Sequence, residues 1–82
     1  MPLFSYSLTR GSEARTVQLR KSNPQGWLIE AVRATFPDIA VKRANAIVRL
    51  RLEAVAAGSQ TWHATLVDEP SNLLIYVVQT RT

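Results

Sequence analysis

An unbroken apolar run late in the sequence constrains the fold more than any other feature. The run reads Leu-Leu-Ile-Tyr-Val-Val and occupies positions 73–78. A strand with one face in water alternates apolar and polar residues, whereas a run without alternation is typical of a strand covered on both faces. We therefore expect a strand over 73–80 at the centre of a sheet. Its two faces would carry Leu73, Ile75 and Val77 on one side and Leu74, Tyr76 and Val78 on the other.

Three other segments show the period-two alternation of half-buried strands, and they are 3–9, 14–20 and 61–67. Gly11 lies between the first two and can adopt the positive φ that a tight hairpin turn requires. The stretch 68–72 combines Asp, Pro, Ser and Asn and predicts a second turn just before the apolar run. The strands therefore form two hairpins.

A first helix is predicted directly after the first hairpin. Ser22 or Asn23 followed by Pro24 has the pattern of a helix start, with a capping side chain and then proline at the first helical position. Phe36 ends this helix, because a residue that precedes proline avoids the helical region.

A second, longer helix is predicted over 39–57, since this segment has helical spacing and contains neither glycine nor proline. Asp38 would cap its start, and Gly58 would end it. Two apolar stripes run along it on nearly opposite sides. The main stripe, expected to face the core, is Val41, Ala44, Val48, Leu52 and Val55, and the second stripe is Ile47, Leu50 and Ala54.

These elements predict one small α+β domain over residues 1–82. We expect a four-stranded, antiparallel-rich sheet built from two hairpins, with two helices inserted between them in the order ββααββ and packed on one face. Strand order 2-1-4-3 would put the apolar run in the centre of the sheet. A hydrophobic content of 46% is ordinary for such a domain.

The sequence lacks the residue patterns that are typical of catalytic sites. It contains no cysteine, so disulfides, thiolate chemistry and cysteine-based metal sites are excluded. The one histidine, His63, lies on a predicted strand without a visible acid partner, and we expect it to be a half-exposed strand residue. The three glycines stand alone, so no phosphate-binding loop is present. We therefore expect no catalytic residue, no metal site and no cofactor.

The net charge of +4 raises the prospect of polyanion binding. One candidate is the loop Arg20, Lys21, Ser22 and Asn23, and another is the basic face of the second helix, Lys42, Arg43 and Arg49. Trp62 or Tyr76 could stack on unpaired bases. The competing interpretation is a charged face that is simply solvated.

Our first hypothesis is a non-enzymatic interaction module that associates with itself or with a protein partner. The helices can cover one face of the sheet, so the candidate interface residues are those left over: Ile47, Leu50, Leu74, Tyr76 and Val78. A monomer would result instead if the helices straddled the sheet. The alternative hypothesis is a nucleic-acid-binding domain.

No segment reaches about 18 uncharged apolar residues, and the first residues lack the pattern of a secretion signal. We therefore expect a cytoplasmic protein without membrane contact. Its richness in Ala, Val and Arg is typical of bacterial proteins from GC-rich genomes.

Overall fold

The computed structural model describes residues 2–26, 28–69 and 71–80. These residues form β1 (Leu3–Arg10), β2 (Glu13–Arg20), α1 (Leu28–Thr35), α2 (Pro37–Lys42), α3 (Ala44–Arg49), β3 (Glu53–Ala54), β4 (Thr61–Leu66) and β5 (Leu73–Thr80). The predicted α+β class with an antiparallel sheet is confirmed. The four-stranded ββααββ layout is only partly right, because the described residues form five strands and three helices.

The sheet has the spatial order β2-β1-β5-β4-β3, and all its pairs are antiparallel. β5 lies in the centre, as the apolar run predicted, and the four predicted strands have the predicted order. β5 pairs with β1 along its whole length, from Thr80 opposite Leu3 to Leu73 opposite Arg10. The additional strand, β3, is a two-residue edge beside β4.

The first hairpin turns within two residues, because Arg10 is already opposite Glu13. Gly11 has φ +62°, a left-handed conformation that residues with a side chain rarely adopt. A Cβ at this position would also lie 3.3 Å from the Ser71 hydroxyl. The predicted turn at Gly11 is thus confirmed. Pro70, on which the second predicted turn partly rested, lies outside the described residues.

The first helix begins later than predicted, at Leu28 rather than at Pro24. The residues before it form bends, in which the N–H of Gly26 donates to Asn23 Oδ1 at 2.6 Å. The Pro24 carbonyl accepts a hydrogen bond from the Tyr6 hydroxyl at 2.7 Å. Asn23 therefore stabilises a loop instead of capping the helix. The helix ends at Thr35, directly before Phe36, as predicted.

The prediction of one continuous second helix was wrong. The chain breaks at Arg43, whose φ of −121° and ψ of 30° are not helical, so that α2 and α3 are separate short helices. Helical structure then stops at Arg49. The Gln25 side chain binds the following segment at two points, donating from Nε2 to the Leu50 carbonyl at 2.8 Å and accepting at Oε1 from the Leu52 N–H at 2.6 Å.

The predicted faces of this segment are only partly right. Ala44 and Leu52 of the main stripe pack against the core, and Ala54 of the second stripe is exposed, as predicted. Ile47, assigned to the outer stripe, is fully buried, while the expected core residues Val41 and Val48 are 85% and 62% exposed. Val55, which the prediction placed on the helix, lies beyond β3 and is exposed. Because the chain bends at Arg43, α2 and α3 can each direct one side towards the sheet.

The core lies between the three helices and one face of the sheet. Its largest fully buried side chains come from two strands and from the helical segment. They are Phe4, Tyr6 and Leu8 on β1, Leu73, Ile75 and Val77 on β5, and Val32, Phe36, Ile39 and Ile47 from the helical segment. The helices therefore cover a single face, as predicted. Within the described residues, no helix has the length and apolar content that a bilayer crossing requires.

Candidate functional site

One face of the sheet has none of the described helices packed on it, and we call it the open face. At its centre β5 presents Leu74, Tyr76 and Val78, which are 40%, 51% and 45% exposed. The neighbouring strands contribute polar side chains to the same face. By register these are Ser5, Ser7 and Thr9 of β1 and Thr61, His63 and Thr65 of β4. The structure thus brings together three of the predicted interface residues in one apolar strip with hydroxyl groups on both sides.

The polar side chains of the open face bind one another. The hydroxyls of Ser5 and Thr80 are 2.9 Å apart, and the Gln18 amide donates to the same Ser5 oxygen at 3.2 Å. Hydroxyls that are already paired within the chain can be removed from water at little cost. This part of the face is therefore suited to close contact with another surface.

His63 lies beside Tyr76 on the open face, with ring centroids 6.3 Å apart. It is half-buried, as expected of a strand residue, and Glu53 of β3 is directly opposite it. Glu53 at one edge and Arg20 at the other are the charged residues that the strand registers assign to this face in the described part of the chain. The centre of the face is uncharged.

Trp62 does not fit the stacking role considered from the sequence. It lies on the opposite face of β4, where its ring meets that of Phe4 edge-on at 5.9 Å. Of these two aromatic residues, Tyr76 is the one on the open face. The ring beside it among the described residues is the imidazole of His63.

The other two predicted interface residues are not on the open face. Ile47 is completely buried in the core, and Leu50 is partly buried and packs against that core. Both therefore contribute to the fold of a single chain. The sequence could not show this, because helical spacing alone placed them on the outer side.

The predicted anion-binding loop is partly occupied by its own contacts. Lys21 is nearly buried, and its ammonium donates to the Gly26 carbonyl at 2.5 Å and lies 5.7 Å from the Tyr6 ring centroid. Burial lowers the pKa of Lys21. Arg20, Ser22 and Asn23 are exposed. Lys21 thus stabilises the loop, and binding of nucleic acid by these residues stays a prediction.

The basic residues predicted on the second helix are divided by the break at Arg43. Asp68 accepts from the Arg43 guanidinium at 3.0 Å and lies 3.9 Å from the Lys42 ammonium. Hydrogen bonds hold the pKa of Asp68 below its usual value, and the bond from the Glu69 N–H has a larger effect than the bond from the Arg43 side chain. Arg49 ends the next helix, α3, and is exposed. Asp68 therefore pairs with Arg43, while the Lys42 side chain remains largely exposed.

A charged cleft that the sequence analysis missed lies beside the first hairpin turn. It has a volume of about 580 Å³ and is lined by the turn, by α2 and by the loop before β5. Within the cleft the Arg10 guanidinium donates to Asp38 Oδ2 at 2.7 Å. This hydrogen bond holds the pKa of Asp38 below its usual value. No sequence spacing signals this cleft, because Arg10 and Asp38 meet only in the folded chain. The Arg10–Asp38 ion pair in this cleft joins the first hairpin to α2, so these charges have a structural role.

Comparison of this chain with protein-family models, with curated proteins and with solved structures finds no match.

Proposed function

We propose that this protein is a non-enzymatic interaction module that self-associates by packing its open face against the open face of a second copy. The observation that carries the proposal is the exposure of Leu74, Tyr76 and Val78 on the central strand of the sheet. An antiparallel sheet can leave one face in water when the side chains of that face are polar, whereas an exposed β-prone apolar strip is a docking surface or an aggregation hazard.

The size of the open face supports a weak dimer. Four strands spaced about 4.8 Å apart, with up to eight residues of about 3.3 Å each, give a face of roughly 500 Å². Two such faces would together bury about 1,000 Å², which is the lower limit of specific interfaces. We therefore expect association in the micromolar range rather than a permanent dimer.

The chemistry of the open face supports a like partner. Its centre is uncharged, and hydroxyls such as Ser5 and Thr80 are paired within the chain. A highly charged partner would find no complementary charge there, whereas a second open face offers the same apolar strip and the same satisfied polar groups. Two-fold symmetry places identical surfaces against each other without further requirements.

Sedimentation across the micromolar range tests the proposal. The wild-type mass should rise from 9.2 kDa towards twice that value with increasing concentration. Replacing Leu74, Tyr76 and Val78 together by Thr keeps strand propensity while removing the apolar strip, and this face variant should lose the association. A uniform mass of 9.2 kDa for the wild type throughout the range would contradict the proposal.

The matched control alters exposed valines of the helical layer. Val41→Thr with Val48→Thr changes side chains that are at least as exposed as those of the open face, but on the other side of the molecule. This control should associate as the wild type does. Loss of association in the control as well as in the face variant would also contradict the proposal, since apolar exposure in general would then be the cause.

A further inference from the structure

One row of side chains crosses the open face at the middle of its apolar strip. By register, Tyr76 of β5 has Ser7 of β1 on one side and His63 of β4 on the other, and Glu53 of β3 follows at the edge. Tyr76 is the middle residue of the strip, and its ring centroid lies 6.3 Å from that of His63. The imidazole therefore lies beside the centre of the open face.

A second copy that covers the apolar strip also covers His63. Neighbouring strands of a sheet are about 4.8 Å apart, so that β4 runs directly beside the strip on β5. His63 is already half-buried within one chain, and its remaining exposed surface is on the open face. The contact between two open faces would therefore remove most of the water that still surrounds this imidazole.

Histidine is the side chain that ordinarily changes its charge between about pH 8 and about pH 5. Carboxyl groups ordinarily titrate at lower pH, and lysine and arginine at higher pH. The sequence contains a single histidine, and it is the one on the open face. His63 is therefore the side chain through which the pH of this range can change the charge of the open face.

The charged groups around His63 in one chain oppose each other. Glu53 is directly opposite it on β3, and Arg51 lines a cleft of about 320 Å³ together with these two residues. Tyr76 faces the imidazole from β5 and contributes an aromatic ring. Glu53 attracts an imidazolium and Arg51 repels it, and both side chains are exposed. Both effects are present before two copies meet, so the change that association brings is the loss of water.

We propose that protonation of His63 weakens the contact between two open faces, so that the protein self-associates near neutral pH and dissociates in mild acid. This inference rests on the proposed function, because it concerns the same face. A charge that moves from water into an uncharged contact is destabilising unless it finds a partner there. The neutral imidazole does not carry this cost. The dimer therefore favours the neutral form, and association releases protons when the pH is low.

The sign of the effect is the same in both aligned ways of packing two open faces with their apolar strips centred on each other. With a two-fold axis across the strands at Tyr76, each His63 lies over the partner's His63, and protonation sets two positive charges against each other. With the axis along β5, each His63 lies over the partner's Ser7, because Ser7 is the other neighbour of Tyr76 in the row. Its hydroxyl is neutral and cannot neutralise an imidazolium. Protonation therefore opposes association in either arrangement.

Sedimentation at two pH values tests the inference, in about 0.15 M salt to screen the net charge. The dissociation constant of the wild-type dimer should rise about tenfold from about pH 8 to about pH 5. His63→Gln is neutral at both pH values, so its own dissociation constant should be the same at both. Circular dichroism shows that each sample is folded. A wild-type dimer with equal dissociation constants, or an equal pH response in His63→Gln, would overturn this inference and leave the open-face proposal intact. A wild type that is monomeric at both pH values would overturn the two together.

A permanent charge at the same position gives a second test. His63→Lys is positively charged at both pH values, so it should associate about tenfold more weakly than the wild type at about pH 8 and should respond little to acid. The matched control is Val41→Lys, which adds the same charge at a position of α2 that is 85% exposed on the other side of the molecule. This control should keep both the wild-type affinity and the wild-type pH response. Wild-type affinity in His63→Lys at about pH 8, or an equal loss in Val41→Lys, would overturn the inference.

Discussion

The Arg10 guanidinium lies 4.7 Å from the centroid of the buried Phe36 ring, and that of Arg15 lies 4.6 Å from the same centroid. Phe36 joins α1 to α2, and the two arginines come from the two strands of the first hairpin. Each arginine also has an oxygen partner, Asp38 for Arg10 and the Thr35 carbonyl for Arg15. One ring therefore ties the hairpin to the helical layer.

Loss of the Phe36 ring should destabilise the protein strongly. We expect Phe36→Ala to lower the free energy of unfolding by about 3–5 kcal/mol, because it leaves a cavity and removes both cation–π contacts. Urea unfolding measures this change. Arg15→Met should cost about 0.5–1 kcal/mol in the wild type and less in a Phe36→Leu background. Equal costs in the two backgrounds would show that the ring and Arg15 are not coupled.

Alkaline pH should destabilise the protein through Tyr6. Burial, with Glu30 as a smaller cause, raises the pKa of Tyr6 from 10.0 to about 12. A raised folded pKa gives stability that is complete below pH 10 and is lost as the pH rises towards 12. Tyr6→Phe should cost about 1 kcal/mol at neutral pH, since it removes the hydrogen bond to Pro24, and its deficit should shrink above pH 10. Urea midpoints at several pH values check this, and parallel curves would contradict it.

Acid should weaken the contacts of Asp68 and Asp38. Both pKa values are lowered in the folded state. The main cause for Asp68 is the hydrogen bond from the Glu69 N–H, and the main cause for Asp38 is the hydrogen bond from Arg10. A lowered folded pKa gives stability that is present above the unfolded value and is lost as the pH falls through the folded value. We therefore expect stability to decline below about pH 4. Asp68→Asn should show a shallower decline in acid than the wild type when urea midpoints are compared at several pH values, and equal declines would contradict this prediction.

The burial of Ile47 and the exposure of Val48 give a paired prediction. Ile47→Ala should cost about 2–5 kcal/mol, because Ile47 is completely buried. Val48→Ala, one residue along the chain and 62% exposed, should change stability by less than about 0.5 kcal/mol. Thermal or urea unfolding of the two variants decides the orientation of α3. The sequence-based stripe predicts the opposite ranking.

The strands were predictable because their signals are local. Alternation in 3–9 and 61–67 and the positive φ of Gly11 follow from side-chain periodicity and from the properties of one residue. The central position of the 73–78 run follows from its composition alone. From the same run the sequence also predicted the residues of the open face, since period two assigns Leu74, Tyr76 and Val78 to one side.

The second helix was not predictable because its boundaries depend on distant side chains. Gln25 binds the backbone at Leu50 and Leu52, which holds this segment in an extended form. Asp68 binds Arg43 at the break between α2 and α3. Local propensity favours one helix through this alanine-rich stretch, and these tertiary contacts override it. The cleft at Arg10 and Asp38 escaped prediction for the same reason.

The central position of β5 has a consequence for how the chain folds during synthesis. β5 is the last of the described elements along the chain, yet it lies between β1 and β4 in the sheet. The bonded hydroxyls of Ser5 and Thr80 are 75 positions apart. Until the ribosome has released residues 73–80, the β1 strand of the first hairpin lacks its second neighbour, and the core residues of β1 and the helices lack their central cover. Contacts this distant in sequence form slowly. During synthesis the chain therefore passes through a stage in which the sheet lacks β5 and its apolar core residues are exposed. This incomplete sheet is the surface to which we expect chaperones to bind.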